Sequence, residues 1–184
     1  MHYFFGEIYD LPPQEEGMPS RRYGLAWLSK EPFVHMENHS LTRLSTQSED
    51  TEPELLPGFP EVRAQWNGQT VHFFNTHLDY RGDPSVREMQ VRDMLTVMNH
   101  ADVPVIMLGD LNARPGSPEL DPLFENLKDS WAGRDDPGYT FPVGEADRRI
   151  DYILHSDHFE VTDVYVVTSR ASDHLPVVAD LELR

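Results

Sequence analysis

The sequence predicts an α+β fold in which two mostly antiparallel β-sheets pack face to face with helices on the outside. Three observations carry that expectation. Apolar runs of strand length outnumber helical patterns, some runs alternate apolar and polar residues while others are apolar throughout, and an Asn-Gly dipeptide separates two of them. Sheets packed on one another read this way, with chemistry carried on loops at one end of the strands.

Residues 10–20 hold Pro12, Pro13, Pro19 and Gly17 and predict a loop. Tyr23-Gly24-Leu25-Ala26-Trp27-Leu28-Ser29 is a short apolar run bounded by charge and suits a buried strand. Residues 45–60 combine Ser, Thr and Glu with Pro53, Pro57 and Pro60 and predict a second loop. Val62 to Trp66 and Thr70 to His77 flank Asn67-Gly68, which predicts a hairpin. From Pro84 to His100 the residues Val86, Met89, Val91, Met94, Leu95, Val97 and Met98 follow a helical spacing, with Asp83 as N-cap and Pro84 as first helical residue. Pro104 to Gly109 is a continuous apolar strand that delivers Asp110 at its end, and Ser117-Pro118-Glu119-Leu120 opens a short helix ending near Asn126. Ile150 to His155, Val161 to Val167 and Leu175 to Leu183 complete the strands. No composition shift marks a boundary, so residues 1–184 read as one domain. Trp27, Trp66 and Trp131 read as core or loop anchors.

Charge and composition narrow the function. The 184 residues carry 32 acidic and 15 basic side chains, a formal charge of −17, with Lys30 and Lys128 the only lysines. Such a chain repels bare nucleic acid at long range. The acidic excess reads as a solvated surface, as a surface adapted to salt, or as carboxylates converging on a metal, and only position separates these. The absence of cysteine excludes disulfides and any Cys-ligated zinc or iron–sulfur site. No apolar run approaches the roughly 20 residues that span a bilayer, and no export signal opens the chain, so a soluble, cytoplasmic protein is expected as written.

Four clusters share a layout in which an apolar strand meets a carboxylate, amide or imidazole. They are Asn75-Thr76-His77-Leu78-Asp79, Gly109-Asp110-Leu111-Asn112, Arg149-Ile150-Asp151-Tyr152-Ile153 and Ser172-Asp173-His174-Leu175-Pro176-Val177. Each has a plain alternative. Asp110 suits a turn, His77 a satisfied core imidazole, Asp151 an ion pair with Arg148 or Arg149, and Asp173-His174 a strand cap. Asp110 and Asn112, two residues apart, project to one side if the chain stays extended. Asp151 interrupts an apolar strand, which implies a buried partner such as an imidazole. All four being incidental is improbable, so they are expected to converge on one site. Histidines with carboxylates and an amide fit Mg²⁺ or Mn²⁺ better than structural zinc.

Together with the Tyr23–Ser29 strand, these clusters resemble, in order, the endonuclease/exonuclease/phosphatase superfamily of metal-dependent phosphoesterases. That group includes DNase I-like nucleases, sphingomyelinases and inositol-phosphate phosphatases. The resemblance implies a four-layer α/β/β/α sandwich and in-line attack of water on phosphorus. It implies that Asp110 orients or deprotonates the water and that Asn112 holds that water or a phosphate oxygen. His174 would be the catalytic imidazole, Asp151 its partner on the far nitrogen, and His77 a contact to the phosphate. Asp173, with Asp110 and Asn112, would serve the metal. Arg87 and Gln90 match a helix pattern of the family, or a solvated helix face.

The resemblance also implies an opening strand bearing an Asn ligand and a later strand ending in Gln-Glu, and the sequence carries neither. Glu7 lacks the preceding Gln. The expectation is a domain that begins part-way in, with an open sheet edge. A start that falls late would account for this, as would a partner chain or second copy completing the sheet, a substitute carboxylate such as Glu7, Glu15 or Glu16, or a scaffold without catalysis. The charge balance favours a phosphorylated small molecule or lipid head group over nucleic acid as substrate. A binding or assembly module is the alternative from another class. A Ser-His-Asp hydrolase is set aside because no Gly-x-Ser-x-Gly elbow is present.

Overall fold

A computed structural model describes residues 1–47, 52–99 and 102–184 of the chain. Its elements are β1 (His2–Leu11), β2 (Arg21–Ser29), β3 (Phe33–Arg43), β4 (Glu54–Trp66), β5 (Gln69–His77), α1 (Ser85–Val97), β6 (Val105–Asp110), a 3-10 turn (Pro118–Leu120), α2 (Asp121–Phe124), β7 (Lys128–Asp129), β8 (Asp151–His155), β9 (Phe159–Val166) and β10 (Val177–Leu183). Six of them form one mixed sheet in the order β3-β4-β5-β6-β8-β7. Only β5 and β6 run parallel, because α1 carries the chain back between them.

The apolar stripe of α1 packs Val91, Met94 and Met98 onto Phe59, Phe74, Met107 and Leu154 of that sheet. Leu120 and Leu123, from the turn and α2, extend the same core. The opposite sheet face presents Val71, Phe73, Ile106, Leu108 and Ile153. Two separate antiparallel hairpins cover it. β9 and β10 bring Phe159, Leu181 and Leu183, while β1–β2 brings Trp27, whose ring meets Phe73 edge-on at 5.8 Å. The described helices therefore all lie on one side, giving three of the four expected layers, with the second sheet represented by two hairpins that are not hydrogen-bonded to each other.

The expected hairpin is present, with Trp66 opposite Gln69 across Asn67 (φ 51°) and Gly68 (φ 83°). Both turn residues are left-handed, as a two-residue hairpin turn of this twist demands. Nothing lies within 4 Å of a Cβ placed on Gly68, so Gly68→Ala introduces backbone strain alone. It is expected to lower the urea-unfolding free energy by about 1 kcal/mol.

Three sequence expectations are corrected. The loop expected over 45–60 gives way to strand from Glu54 onward. Glu54 to Pro60 pairs with β3, whereas the pairing to β5 begins only at Glu61, so Pro57 and Pro60 sit where β4 has a ladder on one side only. Residues 48–51 of that stretch lie outside the described residues. The loop expected over 10–20 is entered only after Leu11, since β1 continues through Asp10 and Leu11, paired with Arg22 and Arg21. The helix begins at Ser85 with Pro84 as its cap residue, one position later than expected, although the Asp83 side chain still accepts the Ser85 N–H at 2.9 Å. His100, placed in that helix by its spacing, lies outside the described residues. β1, β3 and the short β7 were not anticipated at all. The three tryptophans are anchors as expected: Trp27 bonds the Pro60 carbonyl, Trp66 packs on Phe159, and Trp131 bonds the Asp136 carbonyl.

No described helix is long and apolar enough to cross a membrane.

Candidate active site

The parallel register of β5 and β6 places His77 beside Asp110, and the antiparallel register of β6 and β8 places Asp110 beside Asp151. Three chemically active side chains thus line up at one end of the sheet because each is the terminal residue of its strand. His174 comes from elsewhere, on the loop before β10. Two backbone bonds hold that loop against a neighbouring segment, from Leu175 N–H to the Thr140 carbonyl (2.7 Å) and from Val143 N–H to the Asp173 carbonyl (2.8 Å). The Phe141 ring then lies 4.7 Å from the His174 ring.

The Asp151 carboxylate stands 2.8 Å from His174 Nδ1. A carboxylate only accepts, so Nδ1 carries the proton and Nε2 is turned toward Asp110 Oδ2, 3.8 Å away. His77 Nε2 approaches that same oxygen from the other side at 3.6 Å. Of the two expected partners of Asp151, an imidazole or Arg148/Arg149, the structure supplies the imidazole of His174, which is part-buried rather than buried. Arg149 is taken by Asp129 and Arg148 by Asp147, each at 2.7 Å.

The electrostatics separate the two imidazoles. Burial and the nearby Arg43 and His174 lower the His77 pKa below its ordinary value. Burial also pulls on His174, but the bond and charge of Asp151 outweigh it and raise that pKa. Asp110 is pushed up to about 6, chiefly by burial and then by the Asp151 charge, against the opposing bond from the Asn112 N–H. Titratable neighbours driven apart in this way suit division into acid and base roles.

Asn112 does not stand parallel to Asp110. Its φ of 49° turns the chain, its N–H donates to Asp110 Oδ1 at 2.8 Å, and its side-chain amide donates to the Leu78 carbonyl at 2.9 Å. The premise of an extended chain past Asp110 is therefore corrected: an Asx turn ties the pair together and to the loop after His77. Asp173 is exposed beside the cluster, with its carboxylate accepting from Ser172 Oγ at 3.2 Å. Glu7 faces Arg22 at 3.9 Å on β1.

Donor atoms of Asp110, Asp151 and His174 lie within 4.8 Å of one another. Asp110 is a mostly buried carboxylate whose close cationic neighbours are imidazoles rather than an arginine or lysine. Burial and the facing Asp151 charge disfavour its ionised form, and a divalent cation with a preference for hard oxygen would offset both. The donor set fits such an ion.

Arg87 and Gln90 are buried on α1 rather than facing solvent. Arg87 pairs with Glu119 at 2.8 Å and donates to the Asp79 and Arg81 carbonyls, while Gln90 Oε1 accepts the Asp79 N–H. They clamp the loop that follows His77. Three residues escaped the sequence reading. Tyr23 Oη is hydrogen-bonded to His77 Nδ1 at 3.2 Å, Arg43 donates to the His77 carbonyl at 3.0 Å, and Phe141 packs on His174. Tyr23 opens a run already read as a strand, so its position was legible but its reach across to His77 was not.

A family model described as "Endonuclease/Exonuclease/phosphatase family" matches residues 2–174. A search of curated proteins gave no match. Solved structures with the same fold include an endonuclease/exonuclease/phosphatase from Beutenbergia cavernae (27% identity, TM-score 0.72, 99% of this chain and 53% of that one). The human Nocturnin catalytic domain aligns over 100% of this chain and 72% of its own, at 21% identity and TM-score 0.69. A mannosyl-6-phosphatase from Bacteroides thetaiotaomicron aligns over 98% and 77%, at 21% identity and TM-score 0.65.

Proposed function

Because the chain belongs to the endonuclease/exonuclease/phosphatase family, we propose that it is a phosphoesterase dependent on Mg²⁺ or Mn²⁺. Its substrate is a phosphomonoester or phosphodiester of a small molecule or lipid head group. The observation that carries the reading is the alignment of Asp151, His174 and Asp110 with His77 on the far side of the same Asp110 oxygen. Of the proposed ligands Asp110, Asn112 and Asp173, Asp110 is the one that belongs to the donor group with Asp151 and His174; a cation held at Asp110, with Asp173 and Asn112 beside it, would offset charge on phosphate oxygens.

The residues divide the remaining work. Asp110 orients the attacking water and Asn112 fixes the turn from which Asp110 acts. Water adds to phosphorus as the ester P–O bond breaks. Asp151 keeps the His174 proton on Nδ1, so that Nε2 exchanges protons with reacting oxygens. His77, held by Tyr23 and Arg43, contacts the phosphate and stabilises developing charge. The net charge of −17 supports a small substrate over nucleic acid. A sugar phosphate is a sensible first probe, since one protein of the same fold is named a mannosyl-6-phosphatase.

The test is hydrolysis of p-nitrophenyl phosphate, bis-p-nitrophenyl phosphate, a hexose 6-phosphate and a single-stranded oligonucleotide, with Mn²⁺, Mg²⁺ or chelator. Turnover of a small ester that chelator abolishes and His174→Ala removes is expected. A folded chain no more active than His174→Ala on any substrate would overturn the proposal and leave the binding or assembly module as the better account.

A further inference from the structure

A second cluster of donors stands on the helix-side face of the sheet, toward the middle of β3 and β4. On the edge strand β3, His35, Glu37 and His39 alternate along one face. Across from them, Glu61 on β4 is fully buried, and Glu37 is directly opposite it in the register. Like charges at directly opposed strand positions repel and destabilise a sheet. Arg63 bonds Glu61 at 2.6 Å and offsets one of the two charges. The described ion-pair partners of Glu37 are the imidazoles of His35 and His39, at 3.3 and 3.6 Å.

We infer that His35, Glu37 and Glu61 form a binding site for a transition-metal dication of the zinc type, which ties edge strand β3 to β4. Donor atoms of the three lie within 4.8 Å of one another. Ligands about 2.0–2.2 Å from a tetrahedral zinc stand about 3.3–3.6 Å apart, and His35 Nε2 is 3.3 Å from a Glu37 oxygen. Glu61 Oε1 is 2.6 Å from Arg63 and 2.9 Å from His72, so Oε2, on the His39 side, is the oxygen less occupied for ligation. His39, 2.9 Å from Glu61, buttresses it from behind. The half-exposed Glu37 and partly exposed His35 leave the remaining coordination position open to water. One imidazole nitrogen and two carboxylate oxygens are ligand types that zinc-like ions accept, and Zn²⁺ titration against Mg²⁺ tests that choice of ion.

The site is independent of the proposed active site. Its inner ligand Glu61 pairs with Phe74 on β5, roughly 10 Å along the strand from His77, and its other two ligands lie one strand further away on β3.

Zn²⁺ titration of the full chain by calorimetry, in the presence of millimolar Mg²⁺, tests the assignment in wild type, His35→Asn, Glu37→Gln and Asp110→Asn. The first two side chains are surface-accessible, and circular dichroism verifies their folding. A Zn²⁺ component is expected that weakens by about 100-fold or more in His35→Asn and in Glu37→Gln and persists in Asp110→Asn. Zn²⁺ should also raise the Tm of wild type and of Asp110→Asn but not of the two β3 variants. Equal Zn²⁺ affinity in wild type and both β3 variants would overturn the inference, as would loss of the component in Asp110→Asn alone. Neither result depends on catalytic activity.

Discussion

Asp151→Asn is expected to lower kcat by about 1000- to 10,000-fold with little change in KM, the scale found when an imidazole loses the carboxylate that fixes its tautomer. An amide can offer its N–H to Nδ1, which moves the ring proton to Nε2 and leaves the wrong atom facing Asp110. The side chain is nearly isosteric and partly exposed, so the fold should persist, with a Tm close to that of wild type. Steady-state kinetics on the most active small ester checks the effect. The double variant Asp151→Asn with His174→Ala should be no worse than His174→Ala alone, because the carboxylate acts through the imidazole. A loss of under tenfold would mean that the 2.8 Å contact does not govern catalysis.

Gly109→Ala is expected to cost about 3 kcal/mol, the upper end of overpacking, and to lower Tm by roughly 6–12 °C. Gly109 pairs with Thr76 where β5 and β6 run parallel, and a Cβ there would sit 2.1 Å from the Thr76 carbonyl oxygen. That obstacle is backbone in the middle of the sheet, so it cannot swing aside as a side-chain tip would. Its φ of 152° adds strain for any other residue. One residue further on, His77 and Asp110 depend on the same register, so activity should fall as well as stability. Thermal melts beside Gly68→Ala separate the two kinds of glycine: open space and strain in one, a steric wall in the other.

The sequence revealed what short-range rules determine. Asn67-Gly68 specified its hairpin, the α1 spacing its helix, and each strand-terminal carboxylate or imidazole its place at one end of the sheet. β4 was hidden by Pro57 and Pro60, which argue against a strand unless one knows that this half of it has a single partner. β3 was hidden because its core-side positions include His35, Glu37 and His39 while the apolar Val34 and Met36 face solvent, which inverts the alternation that marks a half-buried strand. Asn112 was misplaced because a left-handed φ at a non-glycine residue is set by tertiary hydrogen bonds, here from its amide to Leu78. The clamp by Arg87 and Glu119 joins residues 32 apart, and nothing in local spacing announces it.

All six strands of the large sheet lie before Ser156, whereas His174 follows Val166 at the end of β9. A chain released from the ribosome N-terminus first can therefore pair the sheet and dock α1 while the final hairpin is still being made. During that interval Val71, Phe73 and Ile106 have no β9–β10 cover, leaving a sticky apolar face exposed to the crowded surroundings of synthesis. Phe159, Leu181 and Leu183 then cover it, and the segment between β9 and β10 sets His174 beside Asp151. The Asp151–His174 pair therefore closes only after the large sheet that carries Asp151 has been made.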